Sequence, residues 1–109
     1  MLGTMMLAAL IVVITIVVVL CAVGRIQRNP LVGIRVATFF ASEEAWKVGH
    51  RAAIIPLVVA AVLSFGVVAL VSSFAEVGDI AGTLINCGLL LASVIWGAVR
   101  GSHAIRRQL

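Results

Sequence analysis

The stretch NPLVGIRVATFFASEEAWKVGHR, residues 29–51, lies between hydrophobic runs and carries most of the polar chemistry of this 109-residue chain. Outside it the charges thin out abruptly. Residues 1–24, 52–75 and 80–99 contain no Asp, Glu, Lys or Arg. A helix crosses a bilayer with about 20 mostly apolar residues, and each of the three runs is long enough. The composition agrees: 63% hydrophobic and 11% charged, against roughly half and a quarter in soluble proteins. The expected fold is all-α. It is a polytopic membrane protein with three transmembrane helices (1–24, 52–75 and 80–99) and a short amphipathic helix on the cytoplasmic face within residues 25–51.

The first run reads as a retained span, not a cleaved signal peptide. No Lys or Arg precedes Arg25, and the apolar core is longer than a signal peptide requires. Its Val and Ile residues favour strands in water, but a lone strand in lipid leaves its backbone unpaired, so helix wins. Thr15 can bond back to its own helix. Arg25, Arg28, Arg35, Lys47 and Arg51 fall between the first two spans, and Arg100, Arg106 and Arg107 follow the third. The 76–79 loop carries only Glu76 and Asp79. The positive-inside rule then predicts the N-terminus out and the C-terminus in. The net charge of +4 points to the anionic headgroups of a lipid bilayer as partners and away from nucleic acid. Cys21 and Cys87 fall at depths that differ by about 15 Å, too far apart for a disulfide.

Within the organising stretch, Asn29-Pro30 predicts a turn. Residues 31–40 are apolar but too short to span, which places Phe39 and Phe40 at the acyl–headgroup boundary. Ser42 reads as an N-cap with Glu43 and Glu44 in the first turn behind it. Glu43 and Lys47 stand four apart. Ala45, Trp46, Gly49 and Ala53 share one helix face, with Trp46 as an interfacial anchor, and Gly49 and Pro56 are candidate bend points. In the spans, Ala60 with Ser64 and Ser93 with Gly97 have the small-residue spacing that permits close helix approach. Asn86 is the most polar side chain in any span and reads as helix–helix glue worth about 1 kcal/mol. The 100–109 tail is basic.

These residues argue against several function classes. Ion and proton pathways need ionisable groups inside the spans, and none is expected there. His50, His103, Cys21, Glu43 and Glu44 all fall near the inner face, but no pair has a metal-ligand spacing. There is no activated nucleophile and no phosphate-binding glycine loop. No enzyme activity, cofactor or metal is therefore expected.

Asn29, Gly33-Ile34-Arg35, Thr38, Ser42-Glu43, Trp46 and His50-Arg51 together resemble the signature of the SdpI family of bacterial membrane proteins. Val36-Ala37 stands where the family usually has Thr-Pro, and the chain is about half the length of the founding member. The resemblance implies a multi-pass protein of the bacterial cytoplasmic (inner) membrane, with a function in immunity to, or sensing of, a membrane-active toxic peptide. In the founding member it further implies holding a transcriptional repressor at the membrane as signal transduction. The alternative is a small accessory or structural subunit packed against a larger membrane complex. Three helices bury little surface among themselves, so a homo-oligomer or a host complex is expected in either case. For Arg35, isolated among apolar residues, the expected partner is Glu43, Glu44 or a lipid phosphate.

Overall fold

The computed structural model describes residues 2–29, 33–34, 36–74 and 78–108. Among these residues three α-helices make the fold: α1, Leu2–Ala22; α2, Glu43–Ser73; and α3, Asp79–Gln108. A 3-10 turn, Ala37–Phe40, precedes α2. All three helices are long and apolar enough to cross a membrane. α2 packs extensively on both neighbours, while α1 meets α3 more sparingly. α1 and α3 run parallel and α2 runs against them, in a body 49 Å long and 22 by 17 Å across. One end holds the described residues between α1 and α2 and the tail of α3, and is basic. The other end holds the starts of α1 and α3, with Asp79, and is acidic.

The helix ends follow from local sequence. α1 stops at a left-handed glycine, Gly24, with φ of 87°. Arg25 N–H bonds to Leu20 O at 2.9 Å, closing the last turn. α2 starts on Ser42, whose Oγ accepts from Ala45 N–H at 2.9 Å, as the N-cap reading expects. The amphipathic segment forms the first two turns of α2 and runs without a break into the apolar span. The basic tail likewise continues α3 as far as Gln108.

Close packing comes from small residues. The buried positions of α3 are Gly82, Asn86, Ser93, Gly97, Gly101, Ser102 and Ile105. Opposite them on α2, Ala53, Ala60 and Ser64 are buried too. A β-carbon on Gly97 would stand 3.1 Å from that of Ala53, and one on Gly101 would stand 2.7 Å from Gly49 O. The large side chains Leu84, Leu91 and Ile95 face outward, as suits a lipid solvent. Ser64 and Ser93 satisfy their hydroxyls on carbonyls three residues back, Ala61 O and Leu90 O. Thr15 bonds Ile11 O at 2.7 Å. Cys21 and Cys87 are free thiols.

Pro56 sits inside α2. It has no N–H to give the carbonyl four residues back, which is Ala52 O. Arg100 on α3 supplies the missing donor, its Nε lying 3.0 Å from Ala52 O. The proline thus becomes a crosslink between α2 and α3.

Candidate functional site

Most of the described signature residues converge at the basic end, around the first two turns of α2. Trp46 and His50, one turn apart, are both fully buried. The expectation of Trp46 as an interfacial anchor is corrected: its ring lies inside the protein, where Nε1–H donates to Ile26 O at 3.0 Å, Phe40 packs 5.4 Å away and Gly33 lies against it. Phe39, expected at the headgroup boundary, is also fully buried. It wedges into a notch of two glycines. A β-carbon on Gly49 would come within 2.7 Å of its ring, and one on Gly101 would collide with it. Phe39 meets the His50 ring edge-on at 5.1 Å and 79°. Trp46 lies 4.3 Å from His50 on another side.

Both nitrogens of His50 are engaged. Ile34 N–H donates to Nε2 at 2.9 Å, so Nε2 carries the lone pair. Nδ1 therefore carries the proton and donates to Trp46 O at 2.7 Å. Burial pushes the His50 pKa below the ordinary 6.5, with the Trp46 carbonyl opposing that shift more weakly. The imidazole is thus a neutral tie between the loop and α2, with no free lone pair for a metal or a proton-transfer partner. Gly33 makes this approach feasible. It has φ of 110° and a β-carbon there would lie 2.6 Å from the Trp46 ring and 2.9 Å from His50 Nε2.

The remaining signature residues frame the cluster. Asn29 Nδ2 donates to Gln27 O at 2.7 Å. Thr38 is half-buried in the 3-10 turn, where its carbonyl accepts from Ala41 N–H at 3.3 Å. Val36 is extended, with φ of −95° and ψ of 137°, and Ala37 opens the turn. A Thr-Pro pair suits the same backbone, because Pro favours an extended residue before it and the first position of a helix. Glu43 pairs with Arg28, 3.7 Å from Oε1 to Nε, and also accepts from Arg28 N–H. Arg28 Nη1 meanwhile donates to Phe40 O at 2.9 Å. Arg51 is exposed and stands outside the cluster. Arg35, and with it the expected contact to Glu43 or Glu44, lies outside the described residues.

Beside the cluster an apolar groove of about 430 Å³ opens between α1 and α3, lined by Ile14, Val17, Val18, Ile34, Val94 and Ala98 among others. Ile34 belongs to both: its backbone ties His50 and its side chain lines the groove. Sequence reasoning missed this role, as it missed Arg28, Phe39 and the notch of Gly49 and Gly101. Patterned small residues are the only signal that could have pointed to that notch.

A second polar centre, also missed, closes the acidic end. Asp79 accepts from Gly3 N–H and Thr4 N–H, both at 3.0 Å, and from the Thr4 hydroxyl at 2.7 Å. It is an anion set on the positive N-terminus of α1 from the start of α3. Asn86 Nδ2 donates to Thr4 O at 3.0 Å from one helical turn beyond buried Gly82. Among the described residues no group of three or more His, Cys, Asp or Glu side chains could hold a metal.

A model of the SdpI/YfhL protein family matches residues 25–99. That interval contains the buried cluster apart from Gly101, all of α2 and most of α3. No curated protein and no solved structure matches the chain.

Proposed function

From the chain's membership of the SdpI/YfhL family, in which it belongs as a multi-pass membrane protein, we propose that it protects against or senses a membrane-active toxic peptide. We place it in the bacterial inner membrane with the basic end in the cytoplasm. One observation carries the reading: the Gly33–Ile34 limb of the signature is tied to His50 and also lines the groove between α1 and α3. An apolar peptide segment lying in that groove would press on the limb, and through it on the Ile34–His50 bond. Occupancy would thereby reach the cytoplasmic face without any charged group entering the bilayer.

The accessory-subunit reading leans on small-residue helix faces available to a partner. Ala60, Ser64, Ser93 and Gly97 are all buried within the chain itself, which leaves that reading with less support. The experiment expresses the chain in bacteria sensitive to a panel of hydrophobic membrane-active peptides and scores survival. Protection against at least one peptide is expected. It should be lost with Val17→Trp, which fills the groove, while the protein remains in the membrane. Unchanged sensitivity across the panel, with the chain recovered in fixed ratio with a larger membrane complex, overturns the proposal in favour of the accessory role.

A further inference from the structure

On the α2–α3 face, two hollows follow one another along a single crevice. At the basic end a cleft of about 290 Å³ is lined by Val48, Arg51, Ala52, Arg100, Ala104 and Gln108. Deeper toward the middle of the helices lies an apolar hollow of about 170 Å³, lined by residues that include Pro56, Val59, Leu63, Leu89, Ala92 and Trp96. The two sets continue each other at helical spacing: Val48, Ala52 and Pro56 on α2, and Trp96, Arg100, Ala104 and Gln108 on α3. From Arg100 to Leu89 the crevice extends for about 16 Å at 1.5 Å per residue. Half the hydrocarbon thickness of a bilayer is about 15 Å.

The charges match the shape. Among the described residues no carboxylate lines the cleft; at this end Glu43 is engaged by Arg28, and Glu44 is exposed in the first turn of α2, outside the lining. Arg100 is held in place by its Nε bond to Ala52 O, which leaves its two terminal amino groups free to point elsewhere. Arg51 is exposed beside it. We propose that this crevice is a binding site for one anionic phospholipid of the leaflet at the basic end. Its phosphate lies between Arg51 and Arg100, and an acyl chain runs along Trp96, Leu89 and Leu63. The site lies on α2 and α3, whereas the groove proposed for a peptide lies between α1 and α3, so the two proposals stand or fall separately.

Trp96 is 46% exposed and Trp46 is fully buried, which makes Trp96 the fluorophore that a lipid in the crevice can quench. The protein is placed in nanodiscs, and brominated phosphatidylglycerol or brominated phosphatidylcholine is titrated in. The anionic lipid should quench at roughly tenfold lower mole fraction, and Arg51→Gln with Arg100→Gln should remove that preference. Because Arg100 also serves the Ala52 carbonyl, the pair is tested in a Pro56→Ala background too, where the main chain can supply that donor. Arg106→Gln with Arg107→Gln removes equal charge from residues that do not line the cleft and should leave the preference intact. The proposal is overturned by equal quenching from both lipids, by a preference that survives loss of Arg51 and Arg100, or by one lost equally with Arg106 and Arg107. Full competition by excess inorganic phosphate also overturns it, since that would make the cleft an anion site with no call for the acyl chain.

Discussion

A β-carbon at position 33 would sit 2.6 Å from the Trp46 ring on a backbone with φ of 110°. Gly33→Ala therefore combines a strained conformation with overpacking, and should cost about 3 kcal/mol or more. Thermal unfolding in mild detergent measures it, and an unchanged midpoint would remove Gly33 from the centre of the cluster. His50 gives a second expectation at this scale. Its folded pKa lies below the ordinary 6.5, so between the two values the unfolded chain binds more protons and stability rises with pH. The contribution is complete above about pH 6.5 and is lost as the pH falls through the folded value, where a proton on Nε2 would break the Ile34 bond. The midpoint of the wild type should fall on acidification below that pH, and His50→Gln should flatten the dependence; parallel curves would contradict this. The sequence made Gly33, Trp46 and His50 stand out as residues of a pattern. It could not reveal that they touch, because the groups that tie them, the Ile34 N–H and the Ile26 carbonyl, belong to the main chain, and side-chain identity does not encode where those groups lie.

The helices were more legible than their contacts. Uncharged runs of spanning length, the Ser42 cap and the glycine after α1 are local features, and local physics places them. The crosslink at Pro56 is different. A proline in a span is readable as a bend, and Arg100 as a headgroup arginine, but their connection depends on the register of α2 against α3. Ala52 and Arg100 are 48 residues apart. A double-mutant cycle tests the connection. Arg100→Ala alone should destabilise by about 1 kcal/mol, through an Ala52 carbonyl left without a donor. In a Pro56→Ala background, which restores the main-chain donor, the same change should cost little. A coupling energy of about 1 kcal/mol is expected, and additivity would mean that Arg100 stabilises for some other reason. The buried stripe of Gly82, Asn86, Ser93, Gly97 and Gly101 follows the same logic. Individual small residues were visible, but that Gly82 and Asn86 meet Thr4 of α1 while Gly97 and Gly101 meet Ala53 and Gly49 of α2 is a fact about packing.

At the scale of the whole molecule, α1 is fastened at both ends, and in between it packs on α2 while meeting α3 more sparingly. Asp79 holds its start, and the Trp46 bond to Ile26 O holds the chain just beyond its end. The groove beside Ile14, Val17 and Val18 lies between these fasteners. Such a frame has a direction, because every described Lys and Arg lies toward the basic end of the helices. Translocating that end would carry the cluster and its arginines across the bilayer, whereas the 76–79 loop at the acidic end carries Glu76 and Asp79 and no Lys or Arg. The acidic end should therefore face outward. Cysteine labelling in intact cells checks this in a Cys21→Ala, Cys87→Ala background. Gly78 is exposed, with nothing within 4 Å of where its β-carbon would stand, so Gly78→Cys should react with a membrane-impermeant maleimide from outside. Arg107, exposed in the last turn of α3, gives the complementary probe: Arg107→Cys should react only after the cells are opened. The reverse pattern would put the His50 cluster on the outer face. A peptide in the groove would then meet the cluster directly from outside, and the transfer of occupancy to the cytoplasmic face would have no structural route through Ile34.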